Sequence, residues 1–486
     1  MASAITIISV LLALMLPWLL GALVLKRLLS SSNIYNWAIA VGHGFFAGIF
    51  LVTLLLRGFD FLRMPISFIS ITIALVLCGA ALMFYFNRGP AVTPTVASSA
   101  RLSRLPLVVL SLLIVLVAVR YSTLFVELTT RPMYAWDAWM NWAPKAVVWF
   151  RLGEMAPYVT PSEWLHTKGD VVYTLGNYQA STYPDTVPLL YWWMMLATGS
   201  SESSLVLLPW LLAPLALGFA LYGHIRSDGA NPLMAGMAFY ALVNMPYVNV
   251  HTALAGYADI WMAAAFSLSL FALSARESSG ELRWTLLCVF WCIFAATIKR
   301  PGVFFSAFVL FGLARSILRP PRWLELGAVG LVITFFMLAF TVGVAFDIPQ
   351  VGQFRLDSDG IKIPTFGYQA FIATDITERL LTTLLGMLNW NLLFYLTPLI
   401  LIAFLGWGLR GTYQQKNVAL VLALASAFLA LIYTFTGYSA QLMNLVTFNR
   451  TMLYLIPGFL YLLFGRVVRE WSGNPNLPSK PAPDSC

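Results

Sequence analysis

The chain has 486 residues, of which 60% are hydrophobic and only 10% are charged, and its mean hydropathy is +0.80. This composition excludes a soluble globular protein, which needs more polar residues to cover its surface. Apolar runs long enough to cross a bilayer recur along the sequence, with short polar stretches between them. The sequence therefore predicts an all-α polytopic membrane protein.

The net charge of +9 comes from basic residues that lie mainly in short loops between the apolar runs. This distribution is typical of cytoplasmic loops under the positive-inside rule, so it does not indicate a nucleic-acid partner. The apolar runs predict about 13 transmembrane helices, with the N-terminus outside and the C-terminus inside the cell. The predicted spans cover residues 4–25, 37–56, 66–86, 105–126, 205–221, 233–245, 260–273, 284–296, 303–313, 323–345, 392–409, 418–433 and 452–464.

Polar segments divide the chain into four predicted units. An N-terminal unit of three spans is followed by a Pro- and Ser-rich cytoplasmic linker with three arginines. A transmembrane core with two long outer loops comes next, and a basic, proline-rich tail is predicted to be disordered and cytoplasmic. In this order the units cover residues 1–86, 87–104, 105–466 (outer loops at about 127–186 and 346–391) and 467–486.

The first outer loop contains the aromatic stretch YAWDAWMNWAPKAVVWF, Tyr134–Phe150. A helix over this stretch places Asp137, Asn141 and Lys145 on one face, because they are spaced four residues apart. Most aromatic and apolar side chains then lie on the opposite face. This pattern is typical of an interfacial helix at the depth of the lipid headgroups.

Pro144 interrupts this predicted helix, because it lacks an amide donor and clashes with the carbonyl of Met140. We therefore expect a kink or two short helices. Asp137 would lie near the start of the first helix, where the helix dipole stabilises a carboxylate. Two structural roles compete with a catalytic one for Asp137: an N-cap, or an ion pair with Lys145.

Four further outer motifs carry charges at the ends of apolar spans. Charged residues at membrane depth are costly and usually functional. Cations beside a carboxylate suit a reaction with a phosphate leaving group, since the cations hold the phosphate while the carboxylate takes a proton. Alternatively, these cations reach lipid headgroups or pair with a nearby acid. The motifs are STYPDTVPLLYWW with Asp185, GYADIW with Asp259, TIKRPG with Lys299 and Arg300, and NRTMLYLIPGF with Arg450.

The order and spacing of these motifs resemble the GT-C superfamily of polyprenyl-phosphate-sugar-dependent glycosyltransferases, especially protein O-mannosyltransferases and bacterial aminoarabinose transferases of lipid A. The resemblance covers about Leu105–Phe464. It implies a GT-C-like fold and a reaction that inverts the anomeric carbon, with Asp137 as the catalytic acid of the first loop. The sequence departs from the family in two places: Ala138 follows Asp137 where a second acid is frequent, and Asp185 replaces the second proline of a Pro-Pro pair.

The resemblance and the residue types together imply a role for each candidate side chain. Asp137 is expected to act as a general base on an acceptor hydroxyl or amine. The cations are expected to neutralise the phosphate of the donor, and aromatic side chains are expected to line the sugar or lipid cavity. The phosphate-binding candidates are Lys299, Arg300 and Arg450; the cavity candidates are Trp136, Trp139, Tyr191 and Trp192; the supporting candidates are Asn141, Lys145, Asp185, Tyr257 and Asp259.

The expected partners are a polyprenyl-phosphate-linked sugar, a glycan, lipid or protein acceptor, and membrane lipids. The expected location is the bacterial inner membrane, with the reaction on the periplasmic or extracellular side. No glycine-rich phosphate loop indicates ATP, and no cofactor is required. A divalent cation remains an alternative, with Asp137, Asp170, Asp185 and Asp259 as candidate oxygen ligands.

Two other functions compete with glycosyl transfer from a polyprenyl phosphate. A lipid-linked glycan ligase or polymerase would depend on outer arginines and histidines, and His166 and His251 are the histidines expected to face outward. A lipid or glycolipid transporter would show repeated halves and broken helices near the membrane midplane. The sequence shows no convincing internal repeat, and its charged motifs gather at one face.

Overall fold

The computed structural model describes residues 3–29, 36–86, 103–169, 171–177, 179–349, 352–364, 367–409, 415–445 and 447–467. Nearly all of the predicted linker at 87–104 and of the predicted tail at 467–486 lies outside these described residues, as does Asp170.

The described part of the chain folds mainly into α-helices, and one small sheet follows α14. The helices are α1 (Ala4–Leu28), α2 (Asn36–Phe61), α3 (Phe68–Phe86), α4 (Arg104–Thr130), α5 (Ala143–Leu152), α6 (Pro161–His166), α7 (Thr186–Thr198), α8 (Leu208–Ser227), α9 (Pro232–Val243), α10 (Pro246–Ala253), α11 (Asp259–Ser279), α12 (Leu282–Ile298), α13 (Pro301–Leu318), α14 (Arg322–Thr341), α15 (Thr377–Leu381), α16 (Leu393–Leu409), α17 (Lys416–Phe435), α18 (Ser439–Met443), α19 (Thr447–Met452) and α20 (Ile456–Leu462).

Every predicted membrane span overlaps one of these helices. Within the described residues, eight helices are long and apolar enough to cross a membrane, and α9 and α10 form a ninth candidate that is bent by 50°. Three others, at the positions of α12, α16 and α20, are apolar but shorter. The helical, membrane-embedded class is confirmed, and the number of 13 spans stays a prediction.

Helix α11 is the central helix of the bundle. Its side chains from Asp259 to Ser274 are all buried, whichever way they point. Trp261 stacks on Phe45 of α2 with ring centroids 5.9 Å apart and meets Trp210 of α8 edge-on at 5.7 Å. A helix packed on all sides by others has a fixed position and rotation, so α11 holds Asp259 rigidly at its N-terminal end.

The N-terminal spans pack closely against the predicted core. A Cβ atom added at Gly42 of α2 would lie 2.2 Å from the backbone nitrogen of Ala220 in α8, so only glycine fits this crossing. Small residues of this kind let membrane helices approach until their backbones touch. Toward the outer loop, Met155 donates its backbone amide to Asp60 at 2.7 Å, and Trp193 donates to the carbonyl of Ala13 at 3.0 Å.

The second outer loop differs from the predicted all-α class, because it contains a four-stranded antiparallel sheet. The strands are β1 (Val344–Ile348), β2 (Gly352–Leu356), β3 (Gly360–Ile363) and β4 (Gly367–Ala370), and they pair in sequence order. Apolar and polar residues alternate along each short strand, and a glycine lies at or beside each turn. This pattern is typical of consecutive antiparallel hairpins, that is, of a β-meander. The sequence interpretation missed it because each strand has only four or five residues.

Substitution of Gly42 tests how much the close crossing of α2 and α8 contributes to the stability of the protein. We expect Gly42→Ala to lower stability by about 1–3 kcal/mol, because the added methyl group overlaps the backbone of α8. Gly58→Ala on the same helix is the matched control: its Cβ would meet nothing within 4 Å, and alanine favours a helix. Thermal unfolding of the two purified variants in detergent measures the difference. Equal melting temperatures would contradict the close crossing.

Candidate functional site

The stretch that carries Asp137 folds into two short pieces, as its proline predicts. A π-helical turn covers Ala138–Trp142, and α5 follows directly with Pro144 in its first turn. At this position the missing amide of proline costs no helical hydrogen bond. Asp137 precedes the π-helical turn, but its side chain forms no capping hydrogen bond. The structure therefore does not give Asp137 the role of an N-cap.

The Asp137 carboxylate is buried and held from three directions. Asn141 donates to Oδ1 at 2.5 Å, as expected for side chains four residues apart. The indole of Trp142 donates to Oδ2 at 3.4 Å. The guanidinium of Arg450 reaches the same oxygen, with Nη2 2.5 Å away. Asp137 is only 6% exposed, so a residue distant in sequence compensates its charge.

Asp259 holds two cations at the N-terminal end of α11. Arg450 contacts its Oδ2 through Nε at 2.7 Å and Nη2 at 2.6 Å, and Lys299 donates to Oδ1 at 2.8 Å. The hydroxyl of Tyr454 also donates to Oδ1, at 2.6 Å. Asp137, Asp259, Lys299 and Arg450 thus form one ion network, which we call the charged centre. Its formal charges cancel.

Burial and the neighbouring carboxylates shift the pKa values of the two cations, Lys299 and Arg450. Burial lowers the pKa of the Lys299 ammonium below its usual range, although the carboxylate of Asp259 opposes this shift. Burial also disfavours the charged form of Arg450, but Asp259 and Asp137 together outweigh it and raise the pKa of the guanidinium. Arg450 therefore remains a cation, and the two carboxylates stabilise its charge.

Both cations keep donors that the protein does not use. Arg450 directs Nε and Nη2 at carboxylates, whereas its Nη1 forms no hydrogen bond with the described residues. Lys299 contacts Asp259 and, at 3.4 Å, the hydroxyl of Tyr454. Its ammonium has a third N–H group. The charged centre can therefore donate further hydrogen bonds to an anion.

Lys145 and Asp185 form a separate ion pair beside the charged centre. The ammonium of Lys145 lies 2.9 Å from Asp185 Oδ1 and donates to the carbonyl of Tyr183 at 3.0 Å. The alternative interpretation in which Lys145 neutralises Asp137 is therefore wrong. Lys145 is buried and the Asp185 side chain is 31% exposed, so a half-buried ion pair ties α5 to the start of α7.

Arg300 lies over the loop that covers Asp137 and is not part of the ion network. It donates to the hydroxyl of Thr182 and stacks on the ring of Tyr183, with its guanidinium carbon 5.6 Å from the ring centroid. Tyr183 in turn packs on Trp142 at 5.2 Å. Lys299, by contrast, forms an ion pair with Asp259. This ion pair is the structural role that was considered above as the alternative to phosphate binding.

The four aromatic residues expected to line a cavity occupy two different environments. Trp136 and Trp139 are 53% and 47% exposed, next to Asp137 at the surface. Tyr191 and Trp192 are fully buried in α7 and pack on Trp210 and Trp149, respectively. The structure therefore places the first two at the protein surface and the other two in the core. Tyr257, the remaining candidate, stacks under the Arg450 guanidinium at 4.5 Å.

Gly256 fixes the position of Tyr257. Its φ of +109° lies in a region that other residues rarely adopt, and a Cβ atom there would lie 2.0 Å from the hydroxyl of Tyr191 and 2.4 Å from the Cβ of Ala138. The turn before α11 therefore packs directly on the π-helical turn that carries Asp137. This contact brings the GYAD motif and the first outer loop together.

Several contacts of the charged centre were not predicted from the sequence. Asn177 donates to Asn141 at 2.9 Å and so supports the partner of Asp137, although no motif marks it. Tyr454 lies four residues after Arg450, and this spacing could have indicated that both face the same acid. His251 is buried beside Tyr257, with ring centroids 5.5 Å apart.

The arrangement of the acids bears on the divalent cation considered above. No group of three or more His, Cys, Asp or Glu side chains that could hold a metal ion occurs among the described residues. The guanidinium of Arg450 lies between Asp137 and Asp259, and Asp185 is paired with Lys145.

Comparison with protein families, with curated proteins and with solved structures finds no match to this chain.

The two acids of the charged centre are expected to differ in their effect on stability. Asp259→Asn leaves Lys299 without its carboxylate partner and weakens Arg450, so we expect a loss of about 3–5 kcal/mol. Asp137→Asn should cost less, because Arg450 keeps both contacts to Asp259. Thermal unfolding in detergent measures both, with Asp347→Asn on exposed β1 as a control that should not change stability. Equal losses for the two acids would contradict a network centred on Asp259.

Proposed function

We propose that this protein is a membrane glycosyltransferase that moves a sugar from a polyprenyl-phosphate donor to an acceptor hydroxyl or amine. The observation that carries the proposal is the charged centre, in which an acid of the first outer loop meets two cations with unused donors. Such a network is costly to bury and is usually retained for function. In this proposal the reaction takes place on the periplasmic or extracellular side of the bacterial inner membrane.

Asp137 is the general base of the proposed reaction. Its carboxylate takes the proton of the acceptor O–H or N–H group while the acceptor atom forms a bond with the anomeric carbon. The bond between that carbon and the phosphate oxygen breaks, the electron pair leaves with the polyprenyl phosphate, and the configuration inverts. Asn141 fixes the orientation of the carboxylate through Oδ1. The proton therefore goes to Oδ2, the oxygen that Arg450 also contacts.

The cations stabilise the leaving phosphate. The charged centre is neutral before the donor binds, and Nη1 of Arg450 and one N–H of Lys299 are available for phosphate oxygens. As Arg450 turns toward the phosphate, its contact with Asp137 weakens, and the carboxylate becomes a better proton acceptor. Arg300, which lies outside the ion network, adds a positive charge at the covering loop.

A mass-spectrometric comparison of cells tests this proposal. Cells that carry the native protein should contain an outer-face glycolipid or glycan with one additional sugar, and cells with Asp137→Asn at equal expression should lack it. Asparagine keeps the size of the side chain but cannot take the proton. The mass increment identifies the sugar, and the molecule that carries it identifies the acceptor.

Asp347→Asn serves as the matched control for the removal of one carboxylate and should leave the product unchanged. If the product persists undiminished with Asp137→Asn, then Asp137 is a structural residue and the proposed mechanism is wrong.

A transporter is a second candidate, and the interrupted helices favour it. The candidate span formed by α9 and α10 is bent by 50°, and a turn separates α19, which carries Arg450, from α20. Broken helices beside charged residues are typical of transporter binding sites. Purified protein in liposomes distinguishes the two functions: movement of a labelled polyprenyl phosphate sugar across the bilayer without sugar transfer would favour transport.

A ligase or polymerase would differ from the proposed enzyme in its lipid donor and in its dependence on outer histidines. His166, one of the two outer histidines considered, is exposed on α6, with its Nδ1 2.6 Å from the carbonyl oxygen of Ser162. His166→Ala should therefore leave the product of the proposed glycosyltransferase unchanged. Loss of the product with this variant, or a requirement for a diphosphate-linked donor, would favour the ligase.

A further inference from the structure

A row of stacked rings connects the second outer loop with the charged centre. Trp390 packs on Tyr247 at 4.8 Å, and Tyr247 packs on His251 at 4.9 Å. His251 packs on Tyr257 at 5.5 Å, and the guanidinium of Arg450 lies 4.5 Å from the centroid of Tyr257. The ring of Tyr257 therefore lies between His251 and Arg450, the cation that bridges Asp137 and Asp259.

His251 is buried, but its polar atoms are not used by the protein. The residue is 3% exposed, and neither ring nitrogen forms a hydrogen bond with the described residues; Nδ1 is fully enclosed. Leaving a buried polar atom without a partner costs free energy, so an exception needs an explanation.

The other buried histidines show what a histidine with a packing role looks like in this protein. His43 accepts a hydrogen bond from Trp291 at 2.9 Å, and its second nitrogen lies 3.0 Å from His224. Both nitrogens of His43 are therefore satisfied inside the bundle. Among the described residues His251, at comparable burial, has no such partner, which leaves its Nε2 available to a ligand.

We propose that His251 binds a hydroxyl group of the sugar in the donor lipid. This inference rests on the proposed function. Because Nδ1 is enclosed, Nε2 is the nitrogen that meets the ligand; a hydroxyl group can accept from or donate to Nε2 in either tautomer of the neutral imidazole, whereas an ionised phosphate oxygen can only accept. The ring packs on Tyr257, which lies under the Arg450 guanidinium, so it is close to the expected phosphate position. The sugar is bonded directly to that phosphate.

Binding of undecaprenyl phosphate and of its glycosylated forms by the full-length protein in nanodiscs tests the inference. The probes are undecaprenyl phosphate and undecaprenyl phosphate that carries glucose, mannose, galactose or 4-amino-4-deoxyarabinose, each measured separately. His251→Phe keeps the ring contacts to Tyr247 and Tyr257 but removes both nitrogens. We expect it to weaken binding of the preferred glycosylated lipid about tenfold and to leave binding of undecaprenyl phosphate unchanged.

Two further variants separate recognition from packing. His251→Gln retains a donor and an acceptor and should recover part of the affinity for the glycosylated lipid. Trp390→Phe disturbs the same row of rings without removing a nitrogen of His251, so it should not change the preference for the glycosylated lipid.

Three results would overturn the inference. The first is an equal loss for both lipids in His251→Phe, which would indicate a packing role. The second is an unchanged affinity for both, and the third is a wild-type protein that binds undecaprenyl phosphate but prefers none of its glycosylated forms. A wild-type protein that binds neither lipid would contradict the proposed function itself.

Discussion

The ion pairs of Asp259 organise the end of the bundle at which α11 begins. This carboxylate is fully buried and binds Lys299 between α12 and α13 and Arg450 in α19. Four segments that are distant in sequence meet there, because Arg450 also reaches Asp137 before the π-helical turn. Removing one partner would leave an uncompensated charge in a dry environment. The position of Arg450 relative to Asp137 therefore depends on a residue that we do not expect to react.

The N-terminal spans support this arrangement from the side. Helix α2 crosses α8 at a glycine, and its outer end carries Asp60, which accepts the backbone amide of Met155 just after α5. The pair of Lys145 and Asp185 then ties α5 to α7. Through these contacts α2 braces the segment that carries Asp137, which gives a structural role to spans for which the sequence suggested none.

Local patterns in the sequence predicted the parts of the site that depend on neighbours along the chain. The spacing of Asp137 and Asn141 predicted that they share one face, on which the structure shows a hydrogen bond between them, and Pro144 predicted the division into two short helical pieces. The alternative in which Lys145 pairs with Asp137 is wrong, because Lys145 forms its ion pair with Asp185 at the start of α7. The bridge through Arg450 joins residues more than 300 positions apart, and no local pattern specifies such a contact. The same holds for the buried environment of individual aromatic residues.

Binding of undecaprenyl phosphate and of undecaprenol to the purified protein, compared by native mass spectrometry, tests most directly whether the charged centre recognises a lipid phosphate. The two lipids differ only in the phosphate. The account predicts at least about tenfold tighter binding of the phosphate, and it predicts that Arg450→Lys, which keeps the charge but not the guanidinium donors, loses most of this difference. Equal affinity for the phosphate and the alcohol in the wild-type protein would contradict the account.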